Sequence, residues 1–65
     1  MRIEVNGRTL ETSARTLKEL LAELDHDERA VATALNRDFV RRDARAQAAL
    51  NEGDAVEIVS PRQGG

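Results

Sequence analysis

Four leucines in the first half of the chain repeat with the spacing of one helix face. They are Leu17, Leu20, Leu21 and Leu24. Positions i, i+3, i+4 and i+7 form a continuous apolar stripe on a helix, and Thr16 with Glu19 matches the T-x-x-E capping box that marks a helix start. A single helix cannot bury such a stripe against itself. The rest of the chain must therefore supply an apolar face, and a sheet is the candidate.

A strand pattern precedes the helix. Residues 2–6 alternate polar and apolar, which predicts a strand with Ile3 and Val5 on its buried side. Asn6-Gly7 follows and is a strong two-residue hairpin signal, because both residues tolerate positive φ. Residues 8–12 are then predicted to form the returning strand. The chain therefore opens with a β-hairpin.

The second half of the chain is less regular. The spacing of residues 30–35 fits a helix or a strand, and the charged segment before them favours a strand. Phe39-Val40 is a candidate for a brief extra strand, and residues 43–50 for a short helical turn capped by Asp43. Residues 55–59 predict a final strand. A hairpin, a helix and further strands predict an α+β fold of two layers.

Length and composition exclude several classes of function. A domain of 65 residues hides only ~60% of the surface of its unfolded chain, which leaves little room for a closed catalytic pocket, so we do not expect an enzyme. A net charge of −2 and a single aromatic residue, Phe39, argue against nucleic-acid binding. The chain has no cysteine and no apolar run near the ~20 residues of a membrane span. We therefore expect a cytoplasmic protein that contacts no membrane.

Three groups of polar residues could carry chemistry. His26 is the only histidine, and one histidine without cysteine is a poor metal site, so we expect no bound metal. Asp25, Asp27 and Glu28 are expected to form a solvated loop, because nothing nearby could desolvate them for acid–base work. A cluster of arginines fits either a docking patch for a partner or an ordinary charged surface. These arginines are Arg37, Arg41, Arg42 and Arg45.

The sequence stops on Gly64-Gly65, shortly after the final predicted strand. At a glycine usage of ~7%, two final glycines arise by chance in about one chain in 200. Glycine has no Cβ, so such a tail can enter a narrow channel and a nucleophile can approach the Gly65 carboxyl carbon. The same two glycines would also fit a flexible chain end that has no function. We predict a folded domain of residues 1–60 and a flexible tail of residues 61–65, in which Gly64 presents Gly65.

Several segments resemble a known family. Residues 50–59, Leu-Asn-Glu-Gly-Asp-Ala-Val-Glu-Ile-Val, followed by Pro61 and Gly64-Gly65, resemble the end of the ubiquitin-like sulfur carriers. Three more segments are similar to the ThiS-type sulfur carriers of thiazole synthesis in thiamine biosynthesis. They are residues 3–7, 16–21 and 32–36. The resemblance covers essentially the whole chain.

The resemblance implies a β-grasp (ubiquitin-like) two-layer sandwich, with a mixed sheet of four to five strands and one main helix. It also assigns residues around 31–35 to a strand. The chain departs from the family pattern at Arg41, where a proline is frequent, and at Arg45, where an aromatic residue is frequent. Both positions lie away from the tail, so the departures bear on partner contacts rather than on the carrier role.

The resemblance implies a chemistry as well. A ThiF-like adenylating enzyme would use ATP to adenylate the Gly65 carboxylate. Sulfur from a cysteine desulfurase would then displace AMP and leave a thiocarboxylate for thiazole synthase. The chain would be a protein substrate and carrier with no cofactor of its own, because ATP belongs to the partner.

Two other hypotheses stay open. The terminal glycines are shared with the small subunit of molybdopterin synthase, so the chain could carry sulfur for molybdopterin or another pathway. It could also be a ubiquitin-like binding module whose tail is idle.

Overall fold

The computed structural model describes residues 1–60. Within these residues the strands are β1 (Arg2–Val5), β2 (Arg8–Glu11), β3 (Ala32–Leu35), β4 (Asp38–Val40) and β5 (Ala55–Val59). Helix α1 (Leu17–Glu23) follows β2, and a 3₁₀ helix (Arg42–Gln47) lies between β4 and β5. The predicted flexible tail, residues 61–65, lies outside the described residues. The division of the chain at residue 60 therefore stays a prediction.

The strands form one mixed sheet in the order β2-β1-β5-β3-β4. The first and last strands, β1 and β5, are parallel neighbours, with Val5 opposite Val56. All other neighbouring pairs are antiparallel, and Thr33 of β3 lies opposite Ile58 of β5. The predicted α+β architecture is confirmed, and the brief extra strand predicted at Phe39-Val40 is β4. The strand interpretation of residues 30–35 is also correct.

Both hairpins turn on an asparagine in the left-handed region. Asn6 has φ 52° and Gly7 has φ 82°, as the hairpin signal predicts. The second turn places Asn36 at φ 51° and Arg37 at φ 74°. Its sequence lacks the usual glycine in the second position, so the pattern alone did not reveal a hairpin there.

Helix α1 begins as its sequence predicts. The Thr16 Oγ1 accepts a hydrogen bond from the Glu19 N–H at 3.2 Å, which satisfies one of the free donors of the first turn. The Glu19 carboxylate reaches back to the N–H of Arg15 at 2.7 Å, one residue before the position that a standard capping box uses. These two bonds fix where the helix starts.

The core is a single layer between α1 and the inner face of the sheet, by which we mean the side that faces α1. Three leucines of α1 are at most 1% exposed, and Leu24 at its end is partly buried. The sheet contributes alternate residues of β1 and β5 to the same layer. The buried apolar residues are Ile3, Val5, Ala14, Leu17, Leu20, Leu21, Leu50, Val56 and Ile58.

The helical turn predicted for residues 43–50 needs two corrections. It is a 3₁₀ helix that ends at Gln47, and Asp43 does not cap it, because Arg41 occupies the N-cap position without a side-chain cap bond. The Asp43 carboxylate instead pairs with Arg41, 2.9 Å from its Nε, and both side chains are exposed. After the helix, the Ala48 carbonyl accepts a bond from the Leu17 N–H at 2.9 Å. This segment therefore ties β4 and β5 to the start of α1.

The interpretation of Arg45 as part of a surface cluster is wrong. Arg45 is 2% exposed. Its Nε donates to the Thr33 Oγ1 at 3.0 Å, and its two terminal nitrogens donate to the carbonyls of Glu28 and Val31 at 2.6 and 2.7 Å. Burial lowers the pKa of Arg45, while the Glu28 carboxylate acts in the opposite direction. Three oxygen acceptors replace water around a charge that would otherwise stay outside.

Candidate functional site

An apolar patch interrupts the outer face of the sheet, the face turned away from α1. Phe39 is 72% exposed and Val59 is 58% exposed. Ala34 lies opposite Phe39, and Ala32 lies opposite Val59. A shallow depression of about 130 Å³ separates the phenyl ring from Val59. We call Ala32, Ala34, Phe39 and Val59 the apolar patch.

The other half of the outer face is acidic. Carboxylates line β1, β2, β5 and the turn before β5, and one guanidinium lies among them. The carboxylates are Glu4, Glu11, Glu52 and Glu57. The Arg2 Nε lies 3.5 Å from Glu11, and the Arg2 N–H donates to Glu52 at 3.0 Å. The acidic half and the apolar patch meet at Glu57, which lines the depression beside Val59.

Strand β5 carries the chain to the predicted tail and is held on both sides. Its pairing with β3 extends to its last residue, since Ala32 lies opposite Val59. Its backbone register with β1 stops earlier, at Val56. Beyond that point the Asn6 side chain bonds the backbone of Ile58 through both of its amide atoms. Sequence reasoning gave Asn6 a turn role alone, because nothing in the pattern shows that β1 and β5 are neighbours.

The segment around His26 is an exposed loop, as expected. Asp25 leaves the helix at φ 63°, and the His26 N–H donates to the Leu21 carbonyl at 2.9 Å. The Asp27 carboxylate accepts the Arg29 N–H at 3.0 Å, which closes a local turn. Within residues 1–60, no group of three or more histidine, aspartate or glutamate side chains is placed to hold a metal ion.

None of the helices in the described part of the chain is both long and apolar enough to cross a membrane.

Comparison with known proteins decides the family. The model of the ThiS family matches residues 1–65. The chain belongs to the ThiS family. Its structure is similar to the crystal structure of the thiamine biosynthesis protein ThiS from Geobacter metallireducens, with a TM-score of 0.83, 30% identity and full coverage of both chains. An NMR solution structure of the same Geobacter metallireducens protein gives a TM-score of 0.80 at 30% identity, over 100% of this chain and 88% of that one. The ubiquitin-like β-grasp fold implied by the sequence is thus confirmed.

A curated relative extends the comparison to a larger protein. A protein named thiazole synthase, from Paramagnetospirillum magneticum, is 41% identical over 66 residues. The match takes in all of this chain but 20% of that protein. The chain therefore spans about a fifth of the length of this relative.

The departures of this ThiS-family chain from the expected pattern now have a structural reading. Arg45 stands where the resemblance leads one to expect an aromatic side chain, and it fills a buried site with a hydrogen-bonded guanidinium. Arg41, where a proline is frequent, is exposed and paired with Asp43. The predicted site residues themselves, Gly65 and the presenting Gly64, lie beyond the described residues.

Proposed function

We propose that this chain is a sulfur carrier of thiamine biosynthesis and that the sulfur is carried on the carboxylate of Gly65. The observation that carries the proposal is the family match, which runs through to the final Gly64-Gly65. The similarity to two solved structures of one thiamine biosynthesis protein, over the whole of this chain, supports the pathway.

The proposed chemistry begins with activation of the carboxylate, which is a poor electrophile. An oxygen of the Gly65 carboxylate attacks the α-phosphorus of ATP, and pyrophosphate leaves. The product is an acyl-adenylate with AMP as its leaving group. A persulfide, whose outer sulfur originates at a cysteine desulfurase, attacks the carbonyl carbon and expels AMP, which forms an acyl disulfide. A second thiol then attacks the inner sulfur of the S–S bond, so that a disulfide leaves and the two electrons stay on the sulfur bound to Gly65. The thiocarboxylate that results then donates its sulfur to the forming thiazole.

In this scheme the chain is a substrate and a carrier, and its partners are the catalysts. Three depressions on residues 1–60 are open to solvent, and they lie among charged surface residues or on the apolar patch. Binding of ATP and proton transfer are assigned to a ThiF-like adenylating enzyme. Thiazole synthase is proposed as the sulfur acceptor, because a protein of that name contains a segment similar to this chain.

We propose that the adenylating enzyme contacts the apolar patch. An exposed phenyl ring is free to enter an apolar pocket of a partner, and a few buried anchor residues carry most of the binding energy at an interface. The carboxylates beside the patch fit a partner whose pocket is edged by lysine or arginine. Covalent geometry is compatible with the choice, because six residues carry Gly65 at most about 21 Å from Val59.

Mass spectrometry tests the carrier role. The chain is incubated with ATP, a ThiF-like enzyme, a cysteine desulfurase and cysteine, and its intact mass is measured. We expect the mass increase of one oxygen replaced by sulfur, localised to the C-terminal peptide. An unchanged mass under conditions that load a known ThiS protein would contradict the proposal.

A second step tests the pathway. The loaded chain is added to purified thiazole synthase with its other substrates, and, in parallel, to the large subunit of molybdopterin synthase with its precursor. We expect thiazole to form and the thiocarboxylate to revert to a carboxylate in the first reaction. Sulfur transfer in the second reaction alone would make the chain a carrier for molybdopterin.

A further inference from the structure

The asparagines of the two hairpin turns both reach β5 with their side chains. Each adopts a positive φ, 52° for Asn6 and 51° for Asn36. Each uses its side-chain oxygen to accept a backbone N–H of β5, from Ile58 at 2.8 Å and from Ala55 at 2.9 Å respectively. The two residues thus hold opposite ends of the same strand.

Asn6 continues the sheet beyond the end of β1. Its backbone N–H donates to the Val56 carbonyl at 2.9 Å, and the chain then turns away from β5 into the hairpin. Its side-chain amide takes the place of a further strand residue, because the Nδ2 donates to the Ile58 carbonyl at 3.1 Å while the Oδ1 accepts the Ile58 N–H. The backbone of Ile58 is thereby satisfied on the β1 side. Without these two hydrogen bonds, the N–H and the carbonyl of Ile58 would lose their partners on the β1 side, two residues before Ser60.

Asn36 forms the corresponding contact at the start of β5. Its Nδ2 donates to the Asp54 carboxylate at 3.1 Å, and its backbone N–H donates to the Ala55 carbonyl at 2.7 Å. These contacts hold the turn that precedes β5, at the end of the strand away from Ser60. The chain thus supplies its own matched control, with similar bonds at a position where the course of the tail is not affected.

We propose that Asn6 is a positioning residue, which fixes the direction in which the chain leaves β5 toward Gly65. This inference rests on the proposed carrier function. Any freedom at Ile58 and Val59 is passed on to every residue that follows. A carrier whose strand end is already fixed needs less ordering when a partner captures Gly65, and such preorganisation appears as tighter productive binding.

The test compares glycine variants at the two positions. Glycine accepts the positive φ of either turn and removes the side-chain amide. We expect Asn6→Gly to raise the KM of the adenylating enzyme for the carrier about threefold to tenfold with kcat nearly unchanged, because the cost of ordering is met on binding. We expect Asn36→Gly to lower the melting temperature about as much as Asn6→Gly does, and to leave the KM for the carrier unchanged.

A second variant and a second readout separate positioning from stability. Asn6→Asp keeps the side-chain shape but sets a carboxylate oxygen against the Ile58 carbonyl, so it should raise the KM as Asn6→Gly does. Amide hydrogen exchange followed by NMR should show faster exchange at Ile58 in the Asn6→Gly variant, which loses the acceptor of the Ile58 N–H. In the Asn36→Gly variant, exchange should rise at Ala55 instead.

The outcomes distinguish this inference from the function on which it rests. If the parent is loaded and the Asn6 variants keep its KM, or if Asn36→Gly raises the KM equally, Asn6 is a structural residue alone and the inference is overturned. A parent chain that is never loaded would reject the carrier function, and the inference with it.

Discussion

The inner and outer faces of the sheet are built from the same strands and differ in what covers them. On β5, Val56 and Ile58 point inward and are at most 7% exposed, whereas Val59 on the outer face is 58% exposed. The inner face is covered by α1, and the outer face presents Phe39 in an apolar patch that borders the acidic half at Glu57. Along β5, side chains that pack in the core therefore alternate with side chains on the face proposed to contact a partner. Changes on the two faces should therefore appear in different measurements.

The largest expected effect is on the inner face. Leu20→Ala should lower the free energy of unfolding by about 2–5 kcal/mol, because it leaves a cavity where a leucine is fully buried. Small domains have little stability to spare, so most of the variant should be unfolded. Chemical denaturation measures this, with the exposed Lys18→Ala of the same helix as the control. Equal midpoints for both variants would contradict the proposed core.

Arg45 and Arg42 test whether burial, rather than the type of side chain, decides how much an arginine contributes to the free energy of unfolding. Arg45→Ala should lower the free energy of unfolding by about 2–4 kcal/mol, because the Glu28 and Val31 carbonyls lose their donors. Arg42→Ala, on the exposed side of the same 3₁₀ helix, should change it by about 0.5 kcal/mol or less. Thermal or urea unfolding of both variants gives the comparison. A larger loss for Arg42→Ala would reverse the assignment of the two arginines.

On the outer face, the effect should move from stability to binding. Phe39→Ser should alter the free energy of unfolding by about 0.5 kcal/mol or less, because the ring is mostly exposed. It should raise the KM of the adenylating enzyme for the carrier by about tenfold or more, the range expected for an aromatic anchor. Thr9→Ala, on the outer face but away from the patch, is the control. Normal loading kinetics for Phe39→Ser would remove the patch from the interface.

The smallest effect is expected at Asp43. An exposed ion pair with Arg41 contributes little, so Asp43→Ala should cost about 0.5 kcal/mol or less. Thr16→Ala removes a true N-cap bond and should cost about 1 kcal/mol. Urea denaturation of the two variants side by side distinguishes a capping residue from a surface ion pair. A cost for Asp43→Ala that matches Thr16→Ala would restore Asp43 as a cap.

Much of the fold was predictable from the sequence because local pattern and tertiary structure agree. The leucine stripe, the capping box and the Asn6-Gly7 turn each require one local conformation, and each is found. The second hairpin could not be predicted from its sequence, because Arg37 adopts a positive φ that is uncommon for arginine. The predicted cap of the helical turn after β4, Asp43, lies two residues after the observed N-cap, Arg41.

The buried Arg45 and the second role of Asn6 could not be predicted from local pattern. Arginine is rarely fully buried, so its type indicated the surface. The signal that could have revealed its burial is the aromatic residue that the resemblance leads one to expect at that position. Asn6 bonds Ile58, 52 residues away, and that contact exists only once β1 and β5 lie side by side. The site at Gly65 was inferred from the sequence and the family, and not from packing.

The most direct measurement of the central claim is ATP–pyrophosphate exchange with and without Gly65. Deleting Gly65 moves the terminal carboxylate back by ~3.5 Å, and a misplacement of even ~1 Å can cost about a hundredfold in rate. The core residues are unchanged, so the shortened chain should melt like the parent. We predict exchange of labelled pyrophosphate into ATP with the parent and none above background with the shortened chain. Equal exchange with both chains would show that Gly65 is not the group that is activated, and would contradict the carrier function proposed for it.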